Sequence, residues 1–139
     1  MNVYVHGYIE NNGKILLLSR DNVTYFNNHY GLVGGKVESS ESIKNALIRE
    51  LKEEINITVT ADNLFLVHCL SFKNEQGKDL LNMMFKVTAW SDEIVNNEST
   101  KHSRIEWFAV DELPSNIIPR HRQAIVLAYK DVMYSEDGW

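Results

Sequence analysis

The sequence predicts a mixed α and β fold in which helices cover a sheet. Three observations carry that expectation. Segments with strand-like alternation outnumber helical ones, and the one long helical pattern lies in mid-sequence between strands. Turn residues, Asn11-Asn12-Gly13 and Asn74-Glu75-Gln76-Gly77, sit where hairpins would close. The chain of 139 residues, 44% hydrophobic and 24% charged, has the balance of a folded domain with one well-buried core. No internal repeat or low-complexity stretch divides it. Residues 1–139 therefore read as one domain, with 135–139 expected to form a tail.

Val3 to Ile9 alternates as a first strand, and Lys14 to Arg20 follows as a second, with the buried run Ile15-Leu16-Leu17-Leu18. Asp21 to Asn28 is polar and loop-like. Tyr30 to Val33 is a short apolar segment ended by Gly34-Gly35. A helix is expected over Ser40 to Ile55, with Ser39 or Ser40 as N-cap and Glu41 suited to its first turn. Leu64 to Phe72 and Leu80 to Trp90 read as strands joined by a turn. After the polar loop Asp92 to Ser103 comes a last strand, Arg104 to Val110. Arg120 to Met133 closes the series as an amphipathic helix, with Ala124, Ile125, Leu127 and Ala128 among its apolar positions.

Composition excludes several classes. The lone Cys69 leaves no internal disulfide, which fits a reducing cytoplasm, and its apolar surroundings read as packing. No apolar run approaches the ~18 residues of a membrane span, and Met1 to Glu10 lacks the pattern of a signal peptide. The expectation is a cytoplasmic protein without membrane contact. A net charge of −5 argues against sequence-independent nucleic-acid binding, which rests on Lys and Arg neutralising phosphates. A small phosphorylated ligand is compatible with that charge, because a divalent cation can bridge it to acidic side chains.

Such side chains lie on the long helix. At ~100° per residue, Glu50, Glu53 and Glu54 share one arc, and Leu47, Ile48, Leu51 and Ile55 fill the adjacent one, which must face the core. Arg49 and Lys52 fall on the outer side, from which Arg49 can brace Glu53. The arrangement is locally unfavourable. Glu50–Glu53 and Glu50–Glu54 are like-charge neighbours costing roughly 0.2–0.5 kcal/mol each. All three also sit near the helix C-terminus, where the macrodipole disfavours anions by about 0.3–1 kcal/mol apiece. A bound hard cation reverses these terms. Gly34-Gly35 precede the helix, and their backbone can adopt φ > 0, approach a ligand closely and offer a carbonyl to a metal.

Gly35, Glu41, Arg49, Glu50, Leu51, Glu53, Glu54 and Ile57 together match the Nudix box: glycine, five residues, Glu, seven residues, then Arg-Glu-apolar-x-Glu-Glu-x-Gly-apolar. Asn56 stands where the family has glycine, at a helix end that needs the left-handed conformation, and Asn is the best substitute. The resemblance extends to Arg20, to the lead-in Tyr30 to Gly35, to Glu106-Trp107-Phe108 and to Asp111-Glu112-Leu113-Pro114. It implies an α/β/α sandwich with a mixed sheet.

The same resemblance implies Mg²⁺ or Mn²⁺ held by Glu50, Glu53 and Glu54 with the Gly35 carbonyl. It implies a hydrolase acting on a diphosphate linkage in a small nucleotide-like substrate. Glu50 is the first candidate for the general base. Glu98, in the loop before the last strand, is the second, although a solvated loop residue would need no such role. Arg20, Lys36 and Arg120 are candidate phosphate or substrate contacts, with His121 and Arg122 beside Arg120 at a helix start that favours anions. His68 reads as a satisfied core histidine and His102 as a loop residue. Tyr25, Phe26, Trp90 and Trp107 could stack on a base, though some must be core. Small size suits a nucleoside triphosphate pyrophosphohydrolase, as monomer or homodimer. Nucleotide sugars, ADP-ribose and dinucleoside polyphosphates stay open, as do a Nudix domain that binds without turnover and an acidic helix serving a partner protein.

Overall fold

The computed structural model describes residues 1–139. In chain order it contains β1 (Asn2–Asn11), β2 (Lys14–Ser19), β3 (Tyr30–Gly31), β4 (Val33–Lys36), α1 (Ile43–Ile55), β5 (Leu64–Lys73), β6 (Asp79–Val87), β7 (Ile105–Ala109), α2 (Pro119–Tyr129) and β8 (Tyr134–Asp137). One mixed sheet runs β4-β1-β6-β5-β8, with β1–β6 and β5–β8 parallel and the other pairs antiparallel. The far end of β1 turns at Asn12-Gly13 into β2, which pairs antiparallel with β3 and β7.

Each face of this sheet is covered by one helix, so the molecule has two main cores, with a small third cluster of Leu70, Phe72 and Leu80. Val5, Ile9, Leu16, Leu18 and Val33 pack with Leu47, Leu51 and Ile55 of α1. Tyr8, Ile15, Leu17, Leu32 and Met84 pack with Ala124 and Ile125 of α2. The run Ile15 to Leu18 is uniformly apolar because alternate residues enter opposite cores. The expectation of a single core is thereby corrected.

Several boundaries shift for physical reasons. Gly34 and Gly35 do not end a strand. They lie inside β4 and continue its ladder with β1, Gly35 opposite Val5 and Gly34 opposite His6. Gly34 has φ 151, and any side chain there would collide with the Val5 carbonyl. Helix α1 starts at Ile43, not Ser40: Ser40 sits at φ 69, and Ser42 is the N-cap, its Oγ accepting from the Asn45 N–H at 3.1 Å. Glu41 thus precedes the helix, and its carboxylate accepts the Glu38 N–H at 2.9 Å. Helix α2 ends at Tyr129, short of the expected Met133. Residues 135–139 are no free tail. Most of them belong to β8, which pairs with Cys69 to Phe72, and Trp139 Nε1 donates to the Ser71 carbonyl at 3.0 Å.

Candidate active site

The carboxylates of α1 reach one cleft because the helix lies flat on its core. Leu47, Leu51 and Ile55 are fully buried, each contributing about 1.5–3 kcal/mol, and they fix the rotation of the helix. Glu54, one position from Ile55, is then only 5% exposed. Glu50 is half-buried and Glu53 half-exposed, and all three line a cleft of about 560 Å³ together with Gly35.

Gly35 has no room for a side chain on this wall. A Cβ there would lie 2.5 Å from Glu50 Oε1, so the Gly35 backbone and the Glu50 carboxylate share one cradle. Burial, then the adjoining Glu54 carboxylate, pushes the Glu50 carboxyl up to about 7, against the opposing pull of Arg49. Hard oxygen donors crowded in this way fit a divalent cation such as Mg²⁺.

Arg49 does not lie on the solvent side with Lys52. Its side chain folds back among the carboxylates, donating to Glu41 at 2.8 and 3.1 Å, to Glu50 at 3.0 Å and to Glu53 at 3.3 Å. The bidentate contact with Glu41 explains why a Glu eight residues earlier matters to the helix. Lys52 stays outside, 3.4 Å from Asp92. Asn56 ends the helix with φ 70, as expected, and its Nδ2 donates to the Glu93 carbonyl.

The loop after β6 is fastened to this helix end. Val95 N–H donates to the Ile55 carbonyl and Asn97 N–H to the Glu54 carbonyl, capping groups the helix leaves free. The loop thereby delivers Glu98 to the cleft, and with it His102, whose place in a polar loop gives no sequence signal of a site. His102 is buried, with Nε2 3.2 Å from Glu54 Oε2 and Nδ1 3.1 Å from the Ser19 carbonyl. Burial pulls its imidazolium down, but the Glu54 carboxylate, with the Ser19 carbonyl and Glu98, outweighs this and leaves the group above its ordinary value.

Opposite the carboxylates, Arg20 lines the cleft, half-buried; one Nη donates to the Tyr25 carbonyl at 3.1 Å, while Nε has no partner. Lys36 is exposed on β4 and does not line the cleft. Arg120 does, but its guanidinium is already engaged by Asp137, Glu75 and the Lys73 carbonyl and lies over the Phe72 ring. Tyr25 and Phe26 are exposed at the cleft, whereas Trp90 and Trp107 pack on the α1 core.

The cleft floor holds two further histidines. His6 and His121 are 7% and 8% exposed, with rings edge to face at 4.5 Å. Leu32 N–H donates to His121 Nδ1 at 3.0 Å, so Nε2 carries the proton of a neutral ring. Burial, and then Arg20, pushes His6 down to about 4, and burial, with His6 and Arg20, holds His121 well below its ordinary value. The signal for His6 was a polar residue in the middle of an apolar strand. His68, by contrast, is the satisfied core histidine expected, between the Val132 carbonyl and Ser135 Oγ.

A family model described as the NUDIX domain matches residues 2–128. An ADP-ribose pyrophosphatase of Methanocaldococcus jannaschii is 30% identical over 112 residues, covering 81% of this chain and 64% of that protein. A CTP pyrophosphohydrolase of Escherichia coli is 41% identical over 64 residues, 46% of this chain and 47% of that protein. The matched region spans less than two thirds of either relative. The crystal structure of a MutT NUDIX hydrolase from Burkholderia pseudomallei superposes with a TM-score of 0.80 at 28% identity, covering 90% of this chain and 95% of that one.

Proposed function

This chain belongs to the Nudix family, and from that premise we propose that it hydrolyses a diphosphate linkage in a nucleoside triphosphate, releasing pyrophosphate, with Mg²⁺ as cofactor. The observation that carries the reading is the shared cradle of Gly35 and Glu50, with Glu53 and Glu54 on the same wall and Arg20 facing them.

Glu50, Glu53, Glu54 and the Gly35 carbonyl are the residues that would hold the cation. When bound, it neutralises phosphate charge and lowers the pKa of the attacking water. The chain's own groups do the rest. Arg49 pairs with Glu41, Glu50 and Glu53 and so gathers these carboxylates on one wall. Glu50, beside the Gly35 backbone on the cleft wall, is the first candidate to accept the water's proton. Glu98 is the alternative base on the opposite loop. Arg20, which lines the cleft, offers its guanidinium to a phosphate oxygen. The neutral His6 and His121, with Asn82 beside them on the cleft wall, present uncharged hydrogen-bonding groups suited to a nucleobase edge.

The test is a hydrolysis panel with Mg²⁺ over nucleoside triphosphates, nucleotide sugars, ADP-ribose and dinucleoside polyphosphates, with products resolved by chromatography. The expected result is nucleoside monophosphate and pyrophosphate from a triphosphate. Faster release of AMP and ribose phosphate from ADP-ribose would favour a second reading, which the 30% identity to an ADP-ribose pyrophosphatase supports. Mg²⁺-dependent nucleotide binding with no hydrolysis of any compound would leave a binding module instead. Millimolar Mg²⁺ should also raise the melting temperature, by RT ln(1 + [L]/Kd) in free energy. An unchanged melting temperature would remove the metal from the proposal.

A further inference from the structure

On the α2 side of the cleft, Arg120 lies among groups that leave it one surface to offer. Its Nε donates to Asp137 at 2.9 Å, Nη1 to Glu75 at 3.2 Å and Nη2 to the Lys73 carbonyl at 3.2 Å. These partners come from β8, the turn between β5 and β6, and the end of β5, so three segments fix the guanidinium in its own plane. Its central carbon sits over the Phe72 ring, 4.4 Å from the centroid, and that ring covers one face. Arg120 still lines the cleft, with a side chain 15% exposed. The face turned away from Phe72 is the part left for a ligand.

Charge decides what that ligand is. Asp137 and Glu75 together outweigh the guanidinium, and the neighbouring Lys73 is paired with Asp79, so this corner disfavours a phosphate. An uncharged aromatic ring meets no such penalty and gains a stacking and cation–π contact with the open face. The surroundings suit a flat ring. Phe72 and Leu80 are buried at this part of the cleft, with Tyr4 packed against them. Tyr4 and Asn82 stand opposite each other on β1 and β6, and both line the cleft. An arginine that only tied β8 to α2 would need neither the ring beneath it nor a place in the cleft wall.

We propose that Arg120 is a stacking plate for the nucleobase of the substrate, held flat by Asp137, and that it makes no phosphate contact. The proposal rests on the nucleotide reading of the cleft and gives the base its position, beside the uncharged groups of His121 and Asn82. Asp137 is then a positioning residue that acts through Arg120.

Calorimetric titration in Mg²⁺ separates base from phosphate, with the α,β-methylene analogue of ATP as one probe and tripolyphosphate, which has no base, as the other. An adenine probe serves because every base has a π face. Wild type should bind the analogue more tightly than tripolyphosphate. Arg120→Gln and Arg120→Lys should each lose roughly 3–30-fold in affinity for the analogue, with tripolyphosphate affinity unchanged. Lysine keeps the charge without the planar face, so a wild-type affinity in Arg120→Lys would assign the effect to charge and overturn the proposal. Asp137→Ala leaves Arg120 present but free to turn. It should weaken the analogue alone, which keeps the test open if the Arg120 variants fold poorly. Equal loss of both probes would make Arg120 a phosphate contact, and no loss of either would make it structural. Either result, or equal wild-type affinity for the two probes, overturns the stacking plate while the hydrolysis reading stands. A wild type that binds neither probe, and hydrolyses no compound of the panel, overturns that reading as well.

Discussion

At the scale of single residues, the site is organised by what each side chain is denied. Gly35 has no Cβ because Glu50 occupies that space, and its own φ is not positive, so the constraint is one of room and not of backbone strain. Gly35→Ala should therefore fold, yet displace the Glu50 carboxylate and reduce the Mg²⁺-induced melting shift. A full shift in that variant would show the two groups act separately. Glu50 is half-buried beside Glu54, so it is poised between ligand and base. If it takes the proton, Glu50→Gln should lower turnover by about 10²–10⁴-fold with nucleotide binding in Mg²⁺ changed much less. If it is mainly a ligand, excess Mg²⁺ should restore much of the rate, and Glu98→Gln should show the loss that metal does not rescue. Near-normal turnover in both variants would dismiss both candidates.

At the scale of elements, two chain segments are held by contacts remote in sequence. Helix α1 ends at Asn56 in the left-handed region, where the family pattern has glycine. Asn56→Gly should be neutral or slightly stabilising. Asn56→Val should cost about 1–2 kcal/mol, because a β-branched residue resists that conformation, and it also loses the contact with the Glu93 carbonyl. Urea denaturation measures both, and equal stability of the Val variant would mean the helix end relaxes otherwise. Strand β8 covers the edge of β5, and Ser135 supplies the partner of the fully buried His68 Nε2. Ser135→Ala should cost about 1–3 kcal/mol by leaving that nitrogen unsatisfied. A change within about 0.5 kcal/mol would show His68 finds another partner.

At the scale of the whole molecule, the cleft borders both cores, and its floor carries buried neutral histidines. His6 binds its proton in the folded state only near pH 4, against an ordinary value of 6.5. As pH falls from 6.5 towards 4, the unfolded chain gains a proton at His6 that the folded chain refuses, so folding stability declines over that window. His121 acts in the same direction. His102, raised above its ordinary value, acts in the opposite one, its contribution present at low pH and lost as pH rises through its folded value. A comparison with His6→Gln isolates the first effect. Between pH 7 and 5, wild type should lose on the order of 1–2 kcal/mol relative to the variant, by denaturation at each pH. Parallel stability curves would show that His6 titrates normally. No helix is long and apolar enough to cross a membrane.

The sequence by itself determined the types of most elements, the pairing of an apolar helix face with an acidic edge, and the left-handed helix end at Asn56. These are properties of spacing and local conformation, which a few consecutive residues specify. It also carried the family, because the Nudix box is compact in the chain. Tertiary structure alone decided which of the distant residues reach the cleft. Arg20 and Glu98 arrive there, Lys36 does not, and Arg120 arrives with its donors already engaged. It also turned His102 from a loop residue into a neighbour of Glu54, and made 134–137 a strand. Those outcomes depend on hydrogen bonds between segments far apart in sequence, from the loop to the end of α1 and from β8 to β5. No local pattern encodes the partner at the other end of such a bond.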